Sequence, residues 1–429
     1  MKKIYNPSKK DWSKILKRPT LTVEDIEPTV YEIFKEVKIK GDKAIAKYTN
    51  FFDGILLANS LVSGLEIEEA IKAVPSDLKD AIKLAKNNIT KFHKAQITQK
   101  IALETSKGVE CWQEKRPIQK VGIYIPGGTA PLFSTVLMLA IPAYIAGCKE
   151  IVLCTPPNNK GNVNAAILYT AQLCGVTKII KAGGIQAIAG MTFGTKNIPK
   201  VSKIFGPGNQ YVTVAKQIAT KFGVSIDMPA GPSELLVVAD DSADASFVAS
   251  DLISQAEHGI DSQVILVSTS KEFLGKVEKG LNEQVKALPR KTIIEKALKN
   301  SKMILLENDV LALELINNYA PEHFIICTKN EAYYVNGIEN AGSVFIGKYT
   351  PESAGDYASG TNHTLPTNGY AKQYSGVNLD SFLKSITFQK ISKEGIKNIG
   401  NAIELMAEAE GLMAHKNAVT LRLNSLKDA

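Results

Sequence analysis

Short apolar runs of strand length alternate with longer apolar stretches at helical spacing through the middle of the chain. The first series has an apolar run at 121–125, the turn PGGTAP, an apolar helical stretch and a second run at 150–155. A strand, turn, helix and strand in this order form a parallel crossover unit. The pattern therefore predicts an α/β fold built on parallel strands.

The crossover unit repeats on both sides of a segment rich in Pro and Gly. That segment, MPAGPSE at 228–234, has the composition of a hinge. Further strands are predicted before it at 178–181, 203–205 and 225–227, with helices at 163–173, 185–191 and 209–222, and after it strands at 235–239, 264–268, 303–307, 323–327 and 342–346. We expect two α/β layers joined at this hinge.

The two ends of the chain have a different pattern. Residues 20–107 are helical and charged, with a long helix predicted at 76–99, in which we interpret His93 as a solvated surface histidine. Residues 386–429 predict one strand and then one long helix. Before them, the polar segment 347–375 has no clear period, and a loop of that length is usually functional or disordered.

Composition places the chain among folded proteins with sizeable cores. Its 429 residues are 45% hydrophobic, enough for two or three domains. The formal net charge of +8 comes from 51 basic and 43 acidic residues, and no run of five or six basic residues forms an arm. We therefore expect no nucleic-acid binding, whereas a basic protein still favours anionic small ligands such as a dinucleotide.

Targeting and redox signals point to a cytoplasmic protein. The N-terminal segment MKKIYNPSKKDW has no apolar core after its lysines, so a signal peptide is not expected. The longest apolar run, 132–146, is interrupted by polar residues and too short to span a bilayer, which predicts a buried helix and no membrane partner. Five cysteines without a CxxC pair favour reduced thiols in a cytosolic compartment.

The segment DLISQAEHGIDSQ contains the first candidate metal ligands. Its apolar positions recur at helical spacing, which predicts that Gln255 and His258 share one helix face. Imidazole is the commonest metal ligand and suits zinc, while a carboxamide oxygen is a rarer donor. A histidine directly before Gly259 is equally typical of an ordinary helix C-terminus. The segment alone leaves both interpretations open.

Glycine-rich turns follow strands of the first α/β layer at 127–128, 183–184 and 206–208. A turn of this kind before a helix presents free backbone N–H groups to a phosphate. None of the turns completes the dinucleotide motif G-x-G-x-x-G, because Tyr211 stands where the third glycine of GPGNQY should be. Phosphate binding and a purely structural tight turn are therefore equally favoured.

Glu322 and His323 follow Pro321 at the start of a predicted strand. A carboxylate and an imidazole at the mouth of a parallel sheet are well placed for general base catalysis. The alternative is a strand that begins polar and then enters the core, with its histidine hydrogen-bonded there. On this segment alone the alternative is favoured.

The distribution of histidines changes that balance. Four of the five histidines lie in segments dense with Gly, Pro and polar residues; they are His258, His323, His363 and His415. The loop that contains His363 also contains Asp356, and Glu410 lies five residues before His415. Background histidines would scatter, so a shared polar site is the better interpretation.

Eight segments together resemble the histidinol dehydrogenase family. In chain order they are VGIYIPGGTAPLFSTVLM, FGPGNQYV, DMPAGPSELLV, LISQAEHGIDSQ, NYAPEHF, AGSVFIG, PESAGDYASGTNHTLPT and EGLMAHKNAV. They cover the chain from about residue 118 to its end. The first hundred residues resemble the family only in helical character and length, and Ile185 stands where a smaller residue is expected.

The resemblance implies oxidation of L-histidinol to L-histidine through L-histidinaldehyde, with two NAD⁺ used in succession. It implies two incomplete Rossmann-like domains with parallel sheets, an aldehyde-dehydrogenase-like architecture, and a homodimer that exchanges its C-terminal arms. The expected divisions are an N-terminal arm at 1–20, a helical segment at 21–118 that packs with the second domain, an NAD-binding domain at 119–230, a zinc and substrate domain at 231–375, and the exchanged arm at 376–429.

The resemblance also implies roles for individual residues. Glu322 and His323 match the general acid/base pair, and the ligands of one zinc ion per subunit match Gln255, His258, Asp356 and His415, the last from the partner subunit. Substrate contacts match Ser233, Gln255, His258, His323, Asp356, His363, Glu410 and His415. Contacts with NAD match Tyr124, Gln186 and Asn209.

Two other functions compete with this expectation. A cysteine-dependent aldehyde dehydrogenase would use Cys148 or Cys154 as its nucleophile. A non-catalytic zinc or nucleotide-binding module would bind NAD without reducing it.

Overall fold

The chain divides into two compact units. The computed structural model describes residues 1–19, 23–127 and 130–427, so Gly128 of the predicted glycine turn lies outside the described residues. The first unit comprises Met1–Gln96 and Ile118–Phe382, and the second comprises Ile97–Pro117 and Leu383–Ala429. The predicted domain boundaries remain predictions.

Strands and helices are numbered here along the chain. The strands are β1 (Lys2–Tyr5), β2 (Ile101–Ser106), β3 (Val109–Pro117), β4 (Lys120–Tyr124), β5 (Glu150–Thr155), β6 (Lys178–Lys181), β7 (Lys203–Phe205), β8 (Ser225–Ile226), β9 (Glu234–Ala239), β10 (Gln263–Ser268), β11 (Lys302–Leu305), β12 (His323–Cys327), β13 (Ser343–Ile346) and β14 (Leu383–Ile391). The helices are α1 (Trp12–Ile15), α2 (Val23–Lys40), α3 (Asp42–Asp53), α4 (Gly64–Ala73), α5 (Ser76–Lys94), α6 (Phe133–Ala146), α7 (Ala165–Leu173), α8 (Gly184–Phe193), α9 (Gln210–Thr220), α10 (Ala245–Ala256), α11 (Lys271–Gln284), α12 (Lys291–Lys299), α13 (Asp309–Tyr319), α14 (Glu331–Gly337), α15 (Glu352–Tyr357), α16 (Lys393–Ala409) and α17 (Met413–Asn424).

The first sheet is parallel, with the strand order β6-β5-β4-β7-β8. Successive side chains of a strand point to opposite faces, so Val121 and Ile123 of β4 enter one core while Tyr124 enters the other. From β4 the chain continues to β5 on one side of it and later reaches β7 on the other side. The direction in which strands are added reverses at this point, which leaves a crevice at the carboxyl ends of β4 and its neighbours. The predicted crossover units are confirmed.

The second sheet is also parallel, with the strand order β1-β11-β10-β9-β12-β13. Its central strands β9 and β12 are buried along their whole length, as the continuous apolar runs predict. In their register His323 pairs with Leu235, so the two strands begin side by side. The edge strand β1, formed by the first residues of the chain, was not predicted.

Helices α2 to α5 cover the first sheet, whereas we expected this segment to pack with the second α/β domain. Ile33 and Phe34 of α2 share a core with Tyr124, and Ile82 and Ile89 of α5 share the other core with the same sheet. Helical periodicity shows which face of a helix is buried, but it does not show which of two similar sheets that face covers.

The interpretation of His93 as a surface residue was wrong. His93 lies on the apolar face of α5 with Ile82 and Ile89, and it is fully buried. Its Nδ1 lies 2.9 Å from the Ile89 carbonyl oxygen and donates to it, since a carbonyl can only accept. Burial lowers the pKa of this imidazole. The lysines around it in sequence occupy the other faces of the helix.

The second unit contains an antiparallel sheet in the order β14-β3-β2 and the helices α16 and α17. Helical structure through residue 107 was therefore a wrong prediction, because β2 and β3 occupy Ile101–Ser106 and Val109–Pro117. The prediction of a single C-terminal helix was also wrong. Gly411 adopts φ +73° and separates two helices.

The apolar run predicted as a buried helix is α6, whose residues Ser134 to Ala143 are all buried. Among the described residues, no helix is both long and apolar enough to cross a membrane.

A buried ion pair fixes the glycine turn that follows β7. Lys216 of α9 donates to the Gly206 carbonyl oxygen at 2.7 Å and lies 2.5 Å from Asp227, whose other oxygen accepts the Gly206 N–H at 2.8 Å. Gly206 has φ +123°, and a Cβ there would lie 2.1 Å from the Tyr124 carbonyl oxygen. Only glycine fits this turn.

We predict that Lys216→Met destabilises the protein by about 3–5 kcal/mol, because it leaves the Asp227 charge buried and unpaired. Chemical denaturation followed by circular dichroism measures the loss. The matched control is Lys221→Met, which removes an exposed lysine just after the same helix and should unfold at the wild-type denaturant concentration. Equal behaviour of the two variants would show that the buried pair does not support the turn.

Candidate active site

A cavity of about 1000 Å³ in the first unit lies where the strands of the first sheet end and those of the second sheet begin. Its wall brings together residues that are distant in sequence. They include Tyr124 at the end of β4, Pro156 after β5, Gly184 and Gln186 after β6, Asn209 after β7, Ser233 before β9 and His258 after α10. The three predicted NAD contacts and two of the predicted substrate contacts, Ser233 and His258, therefore share one cavity.

Two of the residues predicted to contact NAD, Gln186 and Asn209, lie at the starts of helices, and the third, Tyr124, ends β4. The Tyr124 hydroxyl accepts the Gly184 N–H at 3.0 Å, and the Asn209 side chain caps α9 by accepting the Val212 N–H at 3.1 Å. Gln186 is fully buried, and neither of its amide atoms has a hydrogen-bond partner among the described residues. A buried amide without a partner is costly, so this wall of the cavity suits a polar ligand.

Glu322 and His323 are both bound to the backbone of one neighbouring residue. The Glu322 carboxylate accepts the Glu234 N–H at 2.8 Å, and His323 Nδ1 lies 3.1 Å from the Glu234 carbonyl oxygen. Because that oxygen only accepts, Nδ1 carries the proton in this bond. His323 Nε2 is then the nitrogen that can gain or lose a proton.

Acidic side chains surround the buried His323 ring. Nδ1 lies 3.6 Å from Glu322 Oε2 and 4.0 Å from Glu352 Oε1, and Nε2 lies 3.7 Å from Asp356 Oδ1. Burial acts to lower the pKa of His323, but the carboxylates outweigh it and raise that pKa well above the ordinary value. Nε2 is buried and has no hydrogen-bond partner among the described residues.

A group of side chains suited to a metal ion lies beside His323. One ligand atom from each of His258, Glu352 and Asp356 lies within 4.8 Å of the other two. The carboxamide oxygen of Gln255 is buried and without a partner in the described part of the chain. Nitrogen and oxygen donors of this kind suit zinc, so the donor set fits the predicted ion.

Asp356 connects this group to the predicted substrate residue His363. The Asp356 carbonyl oxygen accepts from His363 Nδ1 at 3.0 Å, and His363 Nε2 lies 3.1 Å from the Thr135 hydroxyl of α6. Burial raises the pKa of Asp356, but the imidazoles of His323, His363 and His258 outweigh it and lower the pKa to about 2. Asp356 is therefore ionised, as a metal ligand must be.

Glu352 is a member of this group that the sequence pattern did not predict. It lies one helical turn before Asp356 in α15, within the segment predicted as a loop without a period. Both of its oxygens are buried without a hydrogen-bond partner among the described residues, and burial raises its pKa well above the ordinary value. A helix predicted over 352–357 would have revealed that the two carboxylates share a face.

Gln255 and His258 do not share one helix face, because α10 ends at Ala256. Glu257 is the C-cap residue, and the His258 N–H donates to the Gln255 carbonyl oxygen at 3.3 Å in the turn beyond it. Gln255 is fully buried in the last turn, whereas the His258 side chain is 40% exposed. The turn still brings His258 Nε2 to 4.0 Å from Asp356 Oδ2.

Glu410 and His415 belong to the second compact unit and not to the unit that contains the cavity. Glu410 is the C-cap of α16, and His415 lies in the first turn of α17. Both side chains are exposed. Their predicted roles as substrate contacts and, for His415, as a zinc ligand remain predictions.

Neither candidate cysteine has the environment of a nucleophile. Cys154 is fully buried in β5, and burial raises the pKa of its thiol. Burial raises the pKa of the Cys148 thiol to about 12. The described lining of the cavity includes neither residue. A thiolate is the reactive form, so a cysteine-dependent mechanism is disfavoured.

Comparison with known proteins points to one family. Residues 16–423 match the family described as histidinol dehydrogenase. A histidinol dehydrogenase from Bacteroides thetaiotaomicron is 58% identical over 427 residues, covering 100% of both chains. The crystal structure of histidinol dehydrogenase from Elizabethkingia anophelis superposes with a TM-score of 0.97 at 56% identity, over 100% of this chain and 99% of that one.

An acetylating aldehyde dehydrogenase from Geobacillus thermoglucosidasius shares only the fold, with a TM-score of 0.50 at 14% identity over 89% of this chain and 94% of that one. The expected aldehyde-dehydrogenase-like architecture is thus confirmed. From the family match and the full-length similarity to its members, the chain belongs to the histidinol dehydrogenase family.

Proposed function

We propose that this chain oxidises L-histidinol to L-histidine through L-histidinaldehyde, using two NAD⁺ in succession and one zinc ion per subunit. The observation that carries the proposal is the pair Glu322 and His323, bound to Glu234 beside the metal-suited group. A base with one defined proton-accepting nitrogen, next to a carboxylate that can activate water, matches the needs of an alcohol oxidation followed by an aldehyde oxidation.

In its neutral form, His323 accepts the alcohol proton in the first oxidation. Its Nδ1–H is bound to the Glu234 carbonyl oxygen, so the proton is taken up at Nε2. Glu322 acts in the second step, where its carboxylate removes a proton from the water that adds to the aldehyde. The Glu234 N–H fixes one Glu322 oxygen and leaves the other to bind that water.

The zinc ion would be held by Gln255, His258 and Asp356, with His415 of a second subunit as the fourth ligand. Bound there, it would act as a Lewis acid that anchors the amine and imidazole nitrogens of the substrate. Glu352 is a further oxygen donor within reach of the same position. Ser233 lines the cavity nearby, and His363 is fixed by Asp356 and Thr135, which supports their proposed substrate contacts.

NAD would bind along the wall formed by Tyr124, Gln186 and Asn209, and it would accept the hydride in each oxidation. The two unpartnered amide atoms of Gln186 offer a donor and an acceptor to it. The Tyr124 hydroxyl already accepts the Gly184 N–H, so its own proton is free to be donated.

A homodimer with exchanged C-terminal arms is supported by apolar surface in the second unit. Large apolar side chains of α16, α17 and the turn between them are exposed; they are Leu405, Met406, Leu412, Met413 and Leu421. Apolar groups this closely spaced usually mark a protein contact. They flank Glu410 and His415, so a contact made here would carry both residues to the other subunit.

NADH formation from L-histidinol tests the proposal. Each histidinol consumed should yield two NADH, a chelator should abolish turnover, and added zinc should restore it. NAD⁺ binding without reduction would instead identify a non-catalytic nucleotide-binding module.

We predict that His258→Asn lowers bound zinc and activity together by at least about 10–100-fold while the fold is retained. Glu352→Gln should also lower bound zinc if this carboxylate contributes to the site. Elemental analysis of dialysed protein measures the metal. The control is Glu257→Gln in the same turn, which should keep full zinc, whereas full zinc in His258→Asn would remove His258 from the ligand set.

We predict that Glu322→Gln slows aldehyde oxidation more than alcohol oxidation, because only the second step needs activated water. Rates measured separately from histidinol and from histidinaldehyde should diverge, and the variant should release aldehyde. Equal slowing of both steps would mean that Glu322 only positions its neighbours.

We predict that a heterodimer of one His415→Ala subunit and one His258→Ala subunit recovers activity, although each homodimer is inactive. With exchanged arms one of the two sites has every ligand, so activity should reach up to about half of wild type. Differently tagged subunits allow the heterodimer to be purified and assayed. An inactive heterodimer would place His415 in the site of its own chain.

A further inference from the structure

The end of α3 brings an aromatic ring and a carboxylate into the wall of the cavity. Phe52 and Asp53 are the last residues of this helix, and Gly54 ends it with φ +70°. Both side chains line the cavity, yet neither lies in one of the eight segments quoted in the sequence analysis. The Phe52 ring is half exposed and stacks on Tyr48, with 6.1 Å between ring centroids and an angle of 19°.

The Asp53 carboxylate lies where a negative charge is unfavourable. It is at the C-terminal end of a helix, which carries partial negative charge. Its Oδ2 is buried without a hydrogen-bond partner among the described residues, and burial raises its pKa to about 6. An acceptor in this situation is stabilised when a ligand donates a hydrogen bond to it.

Asp53 lies within electrostatic reach of the proposed NAD contact Tyr124. Burial raises the pKa of Tyr124 to about 12, and the Asp53 charge adds to the rise. The described cavity lining contains no Lys or Arg. A hydroxyl group could donate to Asp53, but a phosphate in the same place would face a carboxylate with no cation to neutralise it.

We propose that Phe52 and Asp53 bind the adenosine half of the dinucleotide, and that Asp53 selects a free ribose 2′-hydroxyl against a 2′-phosphate. The inference rests on the proposed use of NAD. An acidic side chain that accepts from this hydroxyl is the usual basis of NAD preference in dinucleotide-binding folds, and an arginine is the usual basis of NADP preference. In this chain the carboxylate comes from α3, a helix that precedes the first sheet.

Phe52 supplies the apolar contact of the same subsite. An exposed ring beside a ribose-binding carboxylate can stack on a base, and stacking does not depend on the ribose substituent. The two side chains should therefore have separable effects, with Phe52 contributing to affinity and Asp53 to selectivity.

Isothermal titration of the zinc-loaded enzyme with NAD⁺ and with NADP⁺ tests the inference. Asp53→Ala should weaken NAD⁺ binding about 10–100-fold, the loss expected for a hydrogen bond to a charged group. It should bind NADP⁺ no more weakly than wild type does, so the preference for NAD⁺ narrows by at least tenfold. Phe52→Ala should weaken both dinucleotides by the same factor and leave the preference unchanged.

Asp80→Ala is the matched control, because it removes an exposed carboxylate of α5 that is outside the described cavity lining. It should leave both affinities unchanged. Thermal unfolding should show Asp53→Ala at least as stable as wild type, since the substitution removes a partly buried charge without a partner.

Two results would overturn the inference, and they are distinguishable. If wild type binds NAD⁺ but folded Asp53→Ala keeps the wild-type preference, Asp53 does not select the ribose and the proposed function is unaffected. If wild type binds neither dinucleotide, the proposed NAD dependence fails and the inference fails with it.

Discussion

The candidate site depends on one buried residue, Glu234, at the start of β9. Its N–H binds the Glu322 carboxylate, its carbonyl oxygen binds His323, and its own carboxylate binds Arg18 at 2.5 and 2.8 Å. The carboxylate also accepts the Asn368 N–H at 2.7 Å. A buried charge is tolerated only when it is paired and fully hydrogen-bonded, and Arg18 meets that condition with a two-point contact. Residues from three distant parts of the chain must therefore be in place before the acid/base pair is oriented.

The two parallel sheets contribute opposite ends to the cavity. Strands of the first sheet end there, so helix starts and glycine turns line one wall; strands of the second sheet begin there, so Ser233 before β9 and Ser262 before β10 line the other. The glycine turn after β7 lacks the third glycine of the dinucleotide motif. Gly206 approaches the Tyr124 backbone closely, and the Asn209 side chain caps α9, two residues before Tyr211 at the third-glycine position.

Much of the α/β fold could be predicted because buried parallel strands are continuous apolar runs, and β6 and β12 have the predicted bounds. The strand β2 was missed because its side chains are almost all exposed, so no apolar pattern marks it. His93 and Glu352 were missed for another reason. Each is a polar side chain on the buried face of a helix, and its burial depends on tertiary contacts that local sequence does not record.

The charges around His323 also bear on which substrates the site can accept. Glu322, Glu352 and Asp356 lie within 4.0 Å of its ring, and an ionised carboxylate nearby favours a cation over an anion. Asp356 is ionised, whereas burial raises the pKa of Glu352 well above its ordinary value and so favours its neutral form. Under the proposed function, a substrate with an amine and an imidazole would match this acidic surrounding better than an anionic ligand would.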